Sequence, residues 1–313
     1  MRIVLTGGTG LIGRAVVAAL QARGDDVVVV TREPVAARGR LGDRTVIVEG
    51  DPMYAGDWQT YIRGADAVVN LAGEPMTSRR WNAQFRQLIH DSRVESTRFV
   101  VEAIRAAGES ERPRVMVSAS GADYYPADID LAAFTSFSED DDVDERAPCG
   151  ESFLARTCRD WEAEANEAAE LGVRVVVLRT GIVLARQSAL QRMALPFRFF
   201  VGGRLGSGRQ WMSWIHIEDA VSAILFAIDT ESVAGPVNLV APAPVRNRDF
   251  ARAIGKAMRR PAVLPTPGFV LKLAVGELAE AILAGRKVVP AVLLSNGYEY
   301  RFPNLDAALA DLL

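Results

Sequence analysis

Apolar residues recur along the first half of the chain in two alternating patterns. Short unbroken runs at residues 3–5, 27–30, 45–48 and 67–71 read as strands buried on both faces. Between and after them, apolar positions spaced three and four apart predict helices over residues 11–22 and 82–107. Residues 115–118 and 173–178 continue the series as a fifth and a sixth strand, the latter preceded by a helix around residues 158–171. Regular strand–helix alternation predicts a parallel sheet with helices on its faces. From about residue 185 the alternation gives way to short apolar pieces, prolines and glycines. Pro261, Pro265 and Pro267 lead into a helix expected over 269–284, and a last helix is expected over 305–313. No internal repeat is visible.

The first strand-to-helix connection is Thr6-Gly7-Gly8-Thr9-Gly10-Leu11-Ile12-Gly13, with glycines spaced G-x-x-G-x-x-G. The first glycine permits the tight turn and the second lets backbone approach a pyrophosphate. The third lets the helix pack on the strand, and the helix N-terminus faces the anion. Sitting between a strand and a helix, the triplet predicts dinucleotide binding.

Composition narrows this further. The chain has 36 Lys+Arg against 39 Asp+Glu, a formal net charge of −3, and no basic cluster, which argues against nucleic acid or an anionic membrane as partner. Two cysteines, Cys149 and Cys158, cannot build a disulfide scaffold, and two distant histidines, His90 and His216, make a structural zinc site improbable. No run reaches the roughly 18 apolar residues of a membrane span, and no cleavable leader follows Met1, so the expected compartment is the cytoplasm. The acidic run Glu139-Asp140-Asp141-Asp142-Val143-Asp144-Glu145 reads as a solvated loop, since it lacks the spacing of a calcium loop.

The glycine spacing with its preceding threonine resembles the short-chain dehydrogenase/reductase superfamily, and the length points to its extended, epimerase-like class. A narrower resemblance rests on Asn70-Leu71-Ala72-Gly73-Glu74-Pro75, Arg80-Trp81, Ser92-Arg93-Val94, Ser118-Ala119-Ser120, Tyr124-Tyr125 and Phe153-Leu154-Ala155. It continues through Cys158, Trp161-Glu162, Arg179-Thr180-Gly181-Ile182-Val183-Leu184, Gly206-Ser207-Gly208-Arg209-Gln210-Trp211, Ser213-Trp214-Ile215-His216-Ile217 and Asp219. These are similar to an atypical epimerase-family group that ends in a small C-terminal domain of uncharacterised function, matched here by Pro290, Gly297 and Phe302-Pro303. The resemblance covers essentially the whole chain. Against it, the stretch between Tyr125 and Phe153 is about ten residues longer than the group's pattern, and Pro126 stands where a glycine usually follows the tyrosines.

The resemblance implies a Rossmann-type doubly wound parallel sheet, mainly residues 1–184, and a smaller C-terminal α/β lobe, mainly 185–313, with segments near 213–240 returning to the sheet. It also implies a cofactor set of Thr6, Gly7, Gly8, Thr9, Gly10, Leu11, Ile12, Gly13, Thr31, Arg32, Asp51, Leu71, Ala72, Gly73, Ser118, Arg179 and Gly181. The helices near 82–107 and 153–171 occupy places where extended members pair, which implies a possible homodimer.

Typical superfamily members transfer a proton with a Tyr-x-x-x-Lys pair. Here the residues four places after Tyr54, Tyr61, Tyr124, Tyr125, Tyr298 and Tyr300 are Trp58, Ala65, Asp128, Ile129, Phe302 and Asn304, so the pair is absent. Leu154 and Cys158 stand where it should fall. The remaining catalytic candidates are Ser120, at the end of the fifth strand, and Tyr124 and Tyr125, read either as an aromatic wall or as an acid. Ser120 could equally be a strand-end hydroxyl capping backbone. Cys158 reads better as a buried thiol than as a nucleophile, His216 as structural, and Asp219 as the cap of the next helix. Where nucleotide-sugar epimerases carry a diphosphate-binding arginine this chain has Met212, with Arg209 close but differently placed, which argues against a UDP-sugar.

The end of the second strand distinguishes the cofactors. An NAD site places a carboxylate there, whereas this chain has Thr31-Arg32, suited to the 2′-phosphate of NADP(H), with Arg38 or Arg40 able to reach in. Glu33 is the alternative if the strand ends one residue later. The expected function is an NADP(H)-dependent oxidoreductase or epimerase-like enzyme on a small, partly apolar molecule. The alternative is a non-catalytic dinucleotide-binding regulatory protein.

Overall fold

Seven strands make one parallel sheet: β1 (Arg2–Thr6), β2 (Asp26–Thr31), β3 (Val46–Glu49), β4 (Ala67–Asn70), β5 (Val115–Gly121), β6 (Arg174–Thr180) and β7 (Gly235–Leu239). Their spatial order is β3-β2-β1-β4-β5-β6-β7. The structure is a computed structural model that describes residues 1–126, 138 and 140–313. Winding reverses between β1 and β4, and that reversal opens a crevice at the carboxyl ends of the strands.

The helices are α1 (Leu11–Arg23), α2 (Pro34–Leu41), α3 (Ala83–Ala106), α4 (Phe153–Asn166), α5 (Ala189–Arg198), α6 (Ile217–Asp229) and α7 (Asn247–Met258), followed by α8 (Gly268–Val275), α9 (Leu278–Leu283), α10 (Ala291–Ser295) and α11 (Leu305–Leu312). Because successive strand side chains point to opposite faces, Ile3, Leu5, Val27 and Val29 meet α1 and α6 on one side. Val4, Val28, Val68 and Met116 meet α3 and α4 on the other. A third core joins α5, α7 and α11 around Trp214, Phe250 and Leu309, and forms the smaller lobe.

The expected strands and the helices of the first half appear, with informative differences. Strand β5 runs to Gly121, so Ser120 is a strand residue. Helix α4 starts at Phe153, where the Ser152 hydroxyl accepts from the Ala155 amide, and thus carries Leu154 as well as Cys158. The single helix expected over 269–284 is two, α8 and α9, broken at Gly276 with φ +68°.

Glu139 lies outside the described residues; over 140–145 the acidic run is not a wholly solvated loop. Asp142 and Val143 form a short strand paired in parallel with Lys287 and Val288, Val143 is buried, and Glu145 is only 7% exposed. Glu145 Oε1 accepts from the amides of Asn238 (2.9 Å) and Val292 (3.2 Å), which ties the segment to β7 and α10. Asp219 is not the cap of α6. His216 is, its Nδ1 accepting from the Glu218 amide at 3.2 Å, while the Asp219 carboxylate accepts from the amides of Arg301 (2.8 Å) and Phe302 (2.9 Å). The Tyr298 hydroxyl donates to the Asp219 carbonyl and that of Tyr300 to the Val240 carbonyl, so the C-terminal segment is fastened to α6 and to the end of the sheet.

Candidate cofactor and active site

The glycine loop is shaped by contacts that a side chain would block. A Cβ on Gly7 (φ +70°) would stand 2.4 Å from the Leu71 carbonyl oxygen, and one on Gly13 would stand 2.2 Å from the Gly7 carbonyl oxygen. Gly8 lies just as close to Val29. Gly10 is the N-cap of α1, and among the described residues no side chain caps that end and no acidic residue lies in its first turn. The amides of this turn, beside Leu11 and Ile12, are left for an anion to accept from, so the residues present fit a pyrophosphate.

The side chains of Thr6 and Ser118, both expected at the cofactor, bond to Asn70 between the strands. Thr6 Oγ1 donates to Asn70 Oδ1 at 2.6 Å, and Asn70 Nδ2 donates to Ser118 Oγ (3.3 Å) and to Thr97 Oγ1 (2.7 Å), locking β1, β4 and β5 to α3. At the tip of β2, Thr31 is buried with its hydroxyl accepting from the Glu33 amide at 3.2 Å. Arg32 is exposed, and among the described residues its guanidinium makes no hydrogen bond or ion pair. Glu33 is exposed too, at the N-cap position of α2, where its side chain makes no capping hydrogen bond. Asp51 Oδ1 accepts from the Met53 amide within its own turn. Leu71 and Ala72 are half-buried, and Gly73 is exposed beyond the end of β4.

Arg179 and Gly181, also expected at the cofactor, are explained by packing. A Cβ on Gly181 would meet the Ser213 carbonyl oxygen at 2.6 Å. Arg179, 4% exposed, sends Nε to Glu162 Oε1 (2.9 Å) and Nη2 to Glu162 Oε2 (2.8 Å), a bidentate pair. Its Nη1 donates to the Tyr125 hydroxyl (3.0 Å) and the Glu145 carbonyl (3.1 Å). The three catalytic candidates gather around this pair. Ser120 Oγ donates to Glu162 Oε1 at 2.7 Å, the Tyr125 hydroxyl donates to Asn238 Oδ1 at 2.6 Å, and the Tyr124 ring lies 3.5 Å from the Arg179 guanidinium carbon. Burial pushes both tyrosines above the usual phenol range, and the Tyr125 hydroxyl ties Arg179 to Asn238.

Sequence reasoning singled out neither Glu162 nor Asp123 as a functional group. Asp123 follows Ser120 around the turn and lines a cavity of about 170 Å³ together with Tyr125, Leu154 and Arg286. Burial raises its pKa, opposed by the Arg93 guanidinium. Cys158 is buried beside it, its thiol pushed up to about 12 by burial first and then by the Asp123 and Glu162 charges, which suits an inert thiol. A larger cavity of about 580 Å³ opens on the C-terminal side, with Met212 in its wall. Among the described residues no cluster of metal-ligating side chains occurs and no helix is long and apolar enough to cross a membrane.

The model of the NAD dependent epimerase/dehydratase family matches residues 3–240, three quarters of the chain, over the crevice just described. The chain belongs to that family. Residues 266–312 match a domain of unknown function, DUF1731. Among curated relatives, the epimerase family protein ML0860 of Mycobacterium leprae is 38% identical over 98% of this chain and 94% of its own length. The chloroplastic epimerase family protein SDR39U1 homolog of Arabidopsis thaliana is 36% identical over 100% of this chain and 87% of its own. The crystal structure of the human epimerase family protein SDR39U1 with NADPH superposes with a TM-score of 0.84 at 36% identity, covering 100% of this chain and 99% of that one. Family and sheet are thus those that the sequence resemblance implied. UDP-galactose 4-epimerase, TM-score 0.72 at 19% identity, shares the fold.

Proposed function

We propose that the protein is an NADP(H)-dependent oxidoreductase or epimerase-like enzyme acting on a small, partly apolar molecule without a Tyr-x-x-x-Lys pair. The observation that carries this reading is the uncapped glycine turn at α1, combined with the unpaired Arg32 directly past the tip of β2. The bound nicotinamide supplies hydride exchange. Gly7, Gly10 and Gly13 hold the pyrophosphate against the α1 amides, and Arg32 holds the 2′-phosphate. Ser120, fixed by Glu162, orients the substrate oxygen at the end of β5. Asp123, whose carboxyl burial holds above the usual carboxylate range against the pull of Arg93, stands beside Ser120 as the group proposed to exchange the proton that the absent tyrosine would otherwise carry.

Calorimetric titration with NADPH, NADP, NADH and NAD tests the cofactor part. A charge-assisted contact predicts about a 10- to 150-fold preference for the phosphorylated forms, lost in Arg32→Ala. Equal wild-type affinities, or an unchanged ratio in the variant, refute it. The absorbance of reduced nicotinamide, followed across a carbonyl and imine panel, tests turnover.

A second reading, a dinucleotide-sensing regulator, is favoured by one observation: Ser120, Tyr125 and Arg179 are all consumed by one another and by Glu162. Tight NADPH binding with no substrate-dependent oxidation would select it. A homodimer through α3 and α4 belongs to either reading and is tested by sedimentation at micromolar concentration.

A further inference from the structure

The 580 Å³ cavity lies within the roughly 300–1,000 Å³ range of small-molecule sites and is walled by α5, α7, α8 and α9. Met193, Phe197, Phe250, Ile254, Leu271 and Ile282 face it. The buried amide in its wall is already used: Asn247 Oδ1 accepts from the Leu205 amide at 2.8 Å, and Nδ2 donates to the Met212 sulfur at 3.7 Å. Hydroxyl or ring-amide groups of a sugar nucleotide placed here would be desolvated with poor replacement. Apolar surface placed here gains about 25 cal/mol per Å².

The mouth is charged, and with one sign. Arg79, Arg80 and Arg192 line it and are exposed; among the described residues none of the three makes an ion pair, and no Asp or Glu lines the cavity. Arg80 is seated by a backbone feature. At Gly276, the break between α8 and α9, a Cβ would stand 3.2 Å from Arg80 Nε, so the missing side chain leaves room for the guanidinium. Two apolar side chains of the same walls are exposed, Leu273 of α8 at 76% and Leu195 of α5 at 49%. The loop that leaves β4 past Leu71, Ala72 and Gly73 reaches the cavity at residues 77–80, which puts it on the substrate side of the cofactor crevice.

We propose that this cavity binds an anionic amphiphile, with a chain-like apolar body inside and a single carboxylate or phosphate head at Arg79, Arg80 and Arg192. As a substrate class this rests on the function proposed above; as a binding site it is measured separately.

Calorimetry on the NADPH-loaded protein, using dodecanoate, dodecyl phosphate, dodecanol and dodecylamine below their micellar concentrations, tests it. The anions are expected to bind, the alcohol about tenfold more weakly, and the amine not at all. The two anion arms separate a free acid from a phosphate ester. Joint substitution Arg80→Ala and Arg192→Ala is expected to cost the anions about tenfold and leave the alcohol unchanged. Ile254→Trp, which fills the cavity, is expected to abolish binding while NADPH uptake persists. Should that variant misfold, the surface arginine pair alone carries the test. Equal binding of amine and acid, or no binding of any chain by protein that takes up NADPH, overturns the proposal and leaves the cofactor reading intact. Dodecanoate binding by protein that takes up no dinucleotide supports the cavity and overturns the cofactor reading.

Discussion

Replacing Glu162 by leucine while Arg179 stays in place strands a guanidinium in the interior. The side chains of the pair are 4% and 9% exposed, so solvent gives little compensation. Arg179 would lose the Nε and Nη2 bonds of 2.9 and 2.8 Å and keep those to the Tyr125 hydroxyl and the Glu145 carbonyl. Removing one partner of a buried ion pair costs about 3–5 kcal/mol. The Ser120 hydroxyl also loses its acceptor, and the two retained bonds soften the penalty, so about 4 kcal/mol is expected. Against a total stability of about 5–15 kcal/mol this is a large share. With a urea dependence of about 3 kcal/mol per molar, the midpoint should fall by about 1 M or more. The double variant Glu162→Leu with Arg179→Met removes both charges and should recover much of the loss, giving a coupling of several kcal/mol in the cycle. A single variant within about 1 kcal/mol of wild type, or strictly additive losses, refutes the claim that this pair holds the site together.

Three other outcomes follow from the same geometry. Gly13→Ala places a methyl 2.2 Å from the Gly7 carbonyl oxygen, so it should lower thermal stability by about 1–3 kcal/mol and abolish the NADPH titration heat; normal binding would show the turn to be pliable. Burial holds His216 below its usual pKa of 6.5, so the neutral, capping form is favoured in the fold; its contribution is present above that value and is lost as pH falls through the lower folded value. Wild type should therefore lose more stability on acidification from about pH 7.5 to about pH 5 than His216→Asn, which caps without titrating, and parallel profiles would contradict this. Cys158, at about 12, should resist iodoacetamide in native protein near pH 8 and react in urea, as read by mass spectrometry; native labelling at a free-thiol rate would disprove its burial.

What was legible in the chain was what is local. The run of residues 3–5, the glycine spacing and the valines of 27–30 carry their own periodicity, and β1, α1 and β2 followed from them within a residue or two. The Glu162–Arg179 pair was not read, because 17 residues separate its partners and only the packing of α4 on β6 brings them together. A signal existed all the same. Glu162 falls on the stripe shared by Leu154, Cys158, Trp161 and Ala165, and Arg179 ends the apolar run 175–178, so two opposite charges each interrupt a buried face and call for a partner. Glu145 was masked by its acidic neighbours, since a charge count cannot tell which carboxylate a distant strand will bury. The cap at α6 went to His216 because Asp219 was claimed by amides more than 80 residues away.

The fastening of the C-terminus onto Asp219 also bears on how the chain is made. Synthesis delivers residues 1–240 first, and domains generally fold as they emerge. Here the amides of Arg301 and Phe302 and the hydroxyl of Tyr298 supply the partners of Asp219, while Leu309 of α11 completes the core of the smaller lobe. Until residues 301 and 302 are in place, the Asp219 carboxylate on α6 has only water in their stead. The segment matched as a separate domain is thus a clasp on the first, not a passenger. Chains that stop short of residue 298 should therefore assemble the nucleotide sheet but leave α6 unlatched.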